Sequence, residues 1–219
     1  MASEPVGRTL ILLDAATLQQ GASDLAASDA RFASLLNSNG LPPLWERSAG
    51  FPTLVKIILE QQVSLDSAAA AYTKLVASIG MVAPEAFLQL SDSELKTIGF
   101  SRQKTGYCRG LAAGVVDGSV DLDHLGDLED DAARSYLTSI RGIGPWTADV
   151  YMLFALRRPD VWPAGDRALV VSMRENLGLA EIPTYDTAEV LAVRWKPWRS
   201  VAARMLWHGY LIERGRSLD

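Results

Sequence analysis

Residues 137–149 read LTSIRGIGPWTAD, and this stretch decides more of the fold than any other. Leu137 and Ile140 close one amphipathic helix, and Gly142-Ile143-Gly144 makes a tight turn. Pro145, with φ already set for a first helical turn, opens a second helix through Trp146, Thr147 and Ala148. Two glycines permit positive φ and leave no side chain between the backbone and a ligand. The N–H groups at the start of the second helix then point outward, where the helix dipole favours a phosphate. Ile143 is expected to plug the turn into the core. From the residues alone, a plain helix–turn–helix connection with a glycine stop remains open.

Outward from the hairpin the pattern stays helical. On the N-terminal side, residues 28–38 predict a helix that Gly40 and Pro42-Pro43 end. Pro52 starts an apolar helix to about Val63, and Ser64 caps a second with an Ala-rich face, running to Ile79. Short helices follow at 84–89 and 91–98, then a longer one from Ser101 to about Val116. The spacing predicts hairpin helices over 129–140 and 145–157. Beyond them, Asp166 caps a helix to Leu177, Thr184 or Asp186 begins the next, and Pro197 opens the last, to about Glu213. No run alternates as a strand would. The expected class is all-α, one domain over 1–219, with short connections that favour a compact bundle.

Composition fits a soluble globular chain. Its 219 residues suffice for a proper core, with 48% hydrophobic and 21% charged residues. The apolar patch at Leu10 to Leu13 is cut off by Asp14, too short for a signal segment or a membrane span. An intracellular, soluble protein is expected. Cys108 is the only cysteine, and His124 and His208 are far apart, so no metal held by side chains is expected.

Charge argues against a nucleic-acid partner at first sight, since the formal net charge is −5 and the pI about 5.1. It is unevenly spread. Residues 1–140 carry 10 Lys+Arg against 17 Asp+Glu, whereas 141–219 carry 11 against 9. Residues 117–131 hold seven acids and no lysine or arginine, which suits a solvated face turned away from a polyanion. Local potential, not the total, governs binding.

The full hairpin string resembles the helix-hairpin-helix of base-excision DNA glycosylases. That resemblance implies backbone N–H groups of Gly142, Ile143 and Gly144 on DNA phosphate. It also implies room for a Na+ or K+ ion on the carbonyls of Ile140 and Gly142, with no other cofactor. The family places an aspartate about twenty residues after the hairpin, in a loop that opens a helix. In VWPAGDRALV (161–170) this is Asp166. Breaking an N-glycosidic bond builds positive charge on the sugar, and a carboxylate there stabilises it and can activate water. A cap role for Asp166 alone also fits the residues. Members that cut the backbone carry a lysine two positions after the second hairpin glycine; here that residue is Trp146, so no lyase activity is expected.

Other blocks extend the resemblance over most of 30–213. LVKIILEQQVSLDSAAAAYTKL (54–75) is similar to the family's QQ-S-AA block, whose inter-helix residues wedge into the duplex. By this match Gln62 is the wedge, with Ser64 beside it on DNA, and Gln61 is a wedge neighbour or an exposed junction residue. In LKTIGFSRQKTGYCRGLAAGVVDG (95–118), Arg102 and Lys104 are placed to meet phosphate or solvent. RWKPWRSVAARMLWHGY (194–210) is similar to the C-terminal signature of the alkylpurine branch, DNA-3-methyladenine glycosylase II, in its minimal helical form. Trp146 and Trp207 fall where that branch places pocket aromatics, and an indole face attracts the positive charge of an N-methylated purine. Core packing is the alternative for both. A further pocket aromatic of some relatives is Val150 here, Tyr151 and Trp45 are unplaced, and His208 is expected to be structural.

The resemblance thus implies a two-lobed, all-α monomer with a DNA cleft between its lobes, flipping an alkylated base out of duplex DNA for hydrolysis. Three rivals stand beside it: a glycosylase for deaminated bases, a non-catalytic lesion binder of the same fold, and a helical domain that uses the hairpin for protein contact.

Overall fold

A computed structural model describes residues 11–217; residues 1–10 and 218–219, and with them Leu10 of the apolar patch, lie outside the description. Helices α1 (Ala15–Ser28) and α2 (Ala30–Asn39) open the described chain. The middle holds α3 (Phe51–Glu60), α4 (Leu65–Ile79), α5 (Pro84–Gln89), α6 (Asp92–Ile98), α7 (Arg102–Val116), α8 (Asp130–Ser139) and α9 (Pro145–Phe154). The last three are α10 (Arg167–Leu177), α11 (Tyr185–Ala192) and α12 (Arg199–Ile212). No strand occurs among the described residues, so the all-α expectation holds.

The helices sort into two lobes. In one, α3 packs on α4, α7 and α9, with α5 against α7 and α8 against α9. The other joins both ends of the chain: α1 on α2, and α12 against α1, α2 and α10. Among the helices of the middle lobe α3 is buried on most sides, as its run FPTLVKIILE dictates: seven of its ten residues are buried, and Pro52 sits where a missing N–H is harmless. Arg204 of α12 staples the lobes together. Its guanidinium donates to the carbonyls of Leu153 (2.8 Å) and Leu44 (3.0 Å), and full burial pulls its pKa down to about 9.

Several elements differ from expectation, α3 among them, which ends at Glu60 and not at about Val63 because the Gln61 N–H turns back to the Ile58 carbonyl. Helix α1 was not predicted at all, although Asp14 and Thr17 form a reciprocal capping box: Asp14 accepts the Thr17 N–H at 2.8 Å, and its own N–H donates to Thr17 Oγ1 at 2.7 Å. The sequence disguises the helix with a glycine at its centre. A Cβ at Gly21 would lie 2.8 Å from the Trp198 ring, so this glycine lets α12's entry approach closely. Helix α9 ends at Phe154, not 157, because the N–H groups of Ala155 and Leu156 both converge on the Tyr151 carbonyl. Helix α12 begins at Arg199, two residues after Pro197, since Val193–Trp195 form a 3-10 turn and Trp198 N–H bonds back to the Trp195 carbonyl.

Candidate active site

A cleft of about 1200 Å³ opens between the lobes, walled by the α3–α4 loop, the start of α7 and the hairpin on one side and by α10 and α12 on the other. Asp166 stands on its wall as the N-cap of α10. Its Oδ1 accepts the Leu169 N–H at 2.9 Å and the Trp207 indole N–H at 3.2 Å, while Oδ2 accepts the Trp146 indole N–H at 3.0 Å. The two readings of Asp166 are therefore compatible: one oxygen caps the helix, and the carboxylate as a whole is clamped by two tryptophans from different lobes. Charged acceptors make the stronger hydrogen bonds, so this arrangement fixes the carboxylate's orientation in a partly buried setting.

Both tryptophans are pocket walls and neither is merely core. Trp146 is half-buried at the first turn of α9. Trp207 is only 6% exposed, and its edge reaches the cleft through Asp166. Its face stacks on Phe154 at 5.4 Å between centroids and 21° between planes. Phe154 also lies under two guanidinium groups, Arg47 at 4.9 Å and Arg204 at 5.5 Å. Arg47 is in turn forked onto Glu60, Nη1 to Oε2 at 3.1 Å and Nη2 to Oε1 at 2.8 Å. The sequence reading missed Arg47, Glu60 and Phe154. Only the position of Glu60, immediately before Gln61-Gln62, offered a hint. Val150 is buried and lines the cleft, so no aromatic ring occupies that place.

The hairpin has the predicted form. The Ile143 N–H closes the turn onto the Ile140 carbonyl at 3.0 Å, Ile143 is buried, and Gly142 takes φ +95°. Space requires glycine at 142 as firmly as φ does: a Cβ would lie 2.3 Å from Tyr107 Cγ. Gly144, at φ −86°, caps α9 with no side-chain hydrogen bond, and Gly144, Pro145, Trp146 and Thr147 line the cleft. The carbonyls of Ile140 and Gly142 each accept one hydrogen bond, from Ile143 N–H and Gln61 Nε2. Each keeps a second lone pair, so the donor set fits a monovalent cation.

At the α3–α4 loop, Gln62 is exposed at the apex with φ +56°, a left-handed conformation that is uncommon for a side-chain-bearing residue. Ser64 caps α4 by accepting the Ser67 N–H at 3.2 Å. Gln61 points inward to Gly142 and Thr147. Lys104 departs from the role expected of it. Its ammonium donates to the carbonyls of Leu59 (2.7 Å) and Gln61 (2.9 Å), capping the end of α3, and burial lowers its pKa. Arg102 is exposed at the start of α7 and is absent from the cleft lining. Tyr151 is buried and accepts the Gly50 N–H, and His208 packs edge-on to Trp45, as structural residues do.

Residues 55–198 match the family described as the HhH-GPD superfamily of base excision DNA repair proteins. The chain belongs to that superfamily. The HhH-GPD match contains the α3–α4 loop, the hairpin and Asp166, while Trp207 lies beyond its end. The chain is similar to a putative DNA-3-methyladenine glycosylase, YfjP, of Bacillus subtilis, with 27% identity over 78% of this chain and 66% of that protein. It thus spans slightly less than two thirds of that relative, and 41% and 32% of two others. Among solved structures it is similar to a DNA-3-methyladenine glycosidase from Bacillus halodurans (TM-score 0.74, 29% identity, 89% of this chain and 91% of that one). A second is the Schizosaccharomyces pombe 3-methyladenine DNA glycosylase Mag1 in complex with abasic DNA (TM-score 0.79, 25% identity, 86% and 95%). These relatives stand in the 3-methyladenine glycosylase branch that the C-terminal block pointed to. No helix of the described residues is long and apolar enough to cross a membrane.

Proposed function

We propose that this chain is a monofunctional DNA glycosylase that hydrolyses the N-glycosidic bond of alkylated purines, of the 3-methyladenine and 7-methylguanine type, in duplex DNA. The observation that carries the reading is the Asp166 carboxylate held between the indole N–H groups of Trp146 and Trp207 on the cleft wall. The damaged nucleotide turns out of the stack into the cleft, with Gln62 entering the space it leaves. The purine departs with the bonding electrons of the C1′–N bond. Asp166 faces the positive charge that develops on the sugar and orients the water that adds to C1′. The water's proton passes to the carboxylate and on to solvent. The products are a free base and an abasic site.

An N-alkylated purine carries positive charge and is already a good leaving group, so little general acid is required. His208, the one histidine near the site, is turned to Trp45 and has its pKa lowered by burial. Hydrolysis without strand cleavage is supported by Trp146 at the lyase position and by Lys104, whose ammonium is engaged with carbonyls. The hairpin amides hold phosphate, and a Na+ or K+ on the Ile140 and Gly142 carbonyls would add positive charge there.

The test is base release from methylated duplex DNA, read by chromatography, for the wild type and Asp166→Asn. Release by the wild type and a loss of at least a hundredfold in the variant is expected. Borohydride present during turnover should trap no protein–DNA adduct. DNA binding without release would replace this reading with that of a lesion-binding protein, and a trapped adduct would overturn monofunctionality.

A further inference from the structure

The loop proposed to enter the duplex and the hairpin proposed to hold phosphate are 81 positions apart in sequence, yet one side chain joins them. Both amide hydrogens of Gln61 are spent across that gap: Nε2 donates to the Gly142 carbonyl at 3.0 Å and to Thr147 Oγ1 at 2.9 Å. One acceptor lies in the turn of the hairpin and the other in the first turn of α9. The main chain of the same residue is held from the opposite side, where its carbonyl accepts the Lys104 ammonium at 2.9 Å. Lys104 also holds the carbonyl of Leu59, the last residue but one of α3, and Tyr107 of the same helix as Lys104 fills the space above Gly142. Loop, hairpin and the start of α7 therefore form one braced unit. The adjoining residue, Gln62, takes the left-handed conformation.

We infer that Gln61, backed by Lys104, is a positioning residue that fixes the apex of the α3–α4 loop relative to the hairpin, so that phosphate seating and apex entry into DNA share one register. This rests on the proposed glycosylase reading. Its physical basis is preorganisation. Two contacts on one duplex reinforce each other only when the distance between them is set before binding. Without the brace, the loop would have to be ordered at the moment of insertion.

The experiment uses the full chain and a duplex with 2-aminopurine beside an abasic-site analogue, whose fluorescence rises when the stack is opened. Gln61→Leu keeps the size and removes both donors. Its opening constant should fall roughly tenfold, the scale of two neutral hydrogen bonds, in a protein that is still folded at the assay temperature. The dependence of log K on log salt should be unchanged for Gln61→Leu and also for Lys104→Met, since neither residue sits on phosphate. Lys104→Arg should restore the opening that Lys104→Met loses. Unchanged opening in Gln61→Leu overturns the inference, as does a salt slope that falls by about 0.9 in Lys104→Met, the mark of a lost phosphate contact. If Gln61→Leu does not fold, Thr147→Val removes one of its two acceptors and is held to the same criteria. Base release by the wild type with normal opening in Gln61→Leu defeats this inference alone. Opening that depends on Gln61 in a wild type that releases no base defeats the glycosylase reading alone. No signal from the wild type on any duplex defeats both.

Discussion

Gly142→Ala is the substitution whose cost can be worked out most fully. Two separate terms add. An alanine at φ +95° occupies backbone space that L-residues avoid, at about 1–2 kcal/mol. Its Cβ would also meet Tyr107 at 2.3 Å (Cγ), 2.6 Å (Cβ) and 2.7 Å (Cδ1), all at the root of the ring, where no rotation about a distal bond gives relief. Tyr107 is half-buried, and its hydroxyl accepts Gln103 Nε2 at 2.6 Å, so the ring must shift as a whole. Overpacking of this kind costs about 1–3 kcal/mol. The sum is roughly 2–5 kcal/mol, a large part of the stability of an ordinary domain. Urea unfolding of Gly142→Ala, Tyr107→Ala and the double variant separates the terms. In the Tyr107→Ala background the glycine substitution should cost only the backbone term, about 1–2 kcal/mol. Equal costs in both backgrounds would refute the steric argument and leave backbone strain as the whole explanation.

Three further outcomes are expected. Glu60→Gln strands the Arg47 guanidinium in a nearly buried position, their side chains being 9% and 12% exposed; the loss should approach the roughly 3–5 kcal/mol of a broken buried pair, and Arg47→Met in the same chain should recover most of it. Urea unfolding of the single and double variants checks this. Asp149 is fully buried beside Arg134 at 2.7 Å, and burial outweighs that guanidinium, pushing its carboxyl up to about 7. A raised folded-state pKa means the unfolded chain loses its proton first, so this contribution is complete below about pH 4 and is lost as pH rises to about 7. The decline is at most about 1.4 kcal/mol per pH unit, and unfolding curves of Asp149→Asn should lack it. Trp207→Phe preserves the stacking on Phe154 and removes one donor to Asp166; base release should slow about tenfold or more, and a rate equal to wild type would show that donor to be idle.

What the sequence made legible was what lies close together along the chain. The hairpin was readable because its helix end, turn and helix start are contiguous, and Asp166 because its loop follows at a set distance. Ser64 and Asp166 cap α4 and α10 as their local patterns predicted. What stayed hidden depends on partners far along the chain. Gln61 was readable as a wedge neighbour or an exposed junction residue, not as a brace, because its acceptors are 81 and 86 positions away. Arg47 and Phe154 look like an ordinary surface arginine and a core ring until the fold stacks them. Helix α1 was missed because Gly21, a poor helix residue, is there for the benefit of Trp198. The reading of Lys104 went astray for a related reason: a lysine near a glycine turn resembles a phosphate ligand, but the nearest acceptors are the unpaired carbonyls that end α3.

The acidic balance of the chain loses its force once the charges are placed. None of residues 117–131 lines the cleft. The ionised side chains that do are Arg47, Lys104, Arg141, Arg167 and Arg216 against Glu60 and Asp166. Arg47 cancels Glu60, and Asp166 is the acid the chemistry needs. Arg141 and Arg167 remain exposed beside the hairpin and the start of α10. Arg216 lies 3.4 Å from Asp66, an exposed pair that water and salt screen. A polyanion approaching this face meets excess positive charge and the start of α9, while the acidic run lies outside the cleft, a division that local potential permits at any total charge. A net charge of −5 lowers affinity for DNA at a distance, where salt screens it, and does little within the cleft. Raising salt should therefore weaken binding through the few phosphate contacts of the cleft, with a shallow slope, and not strengthen it as overall repulsion would require.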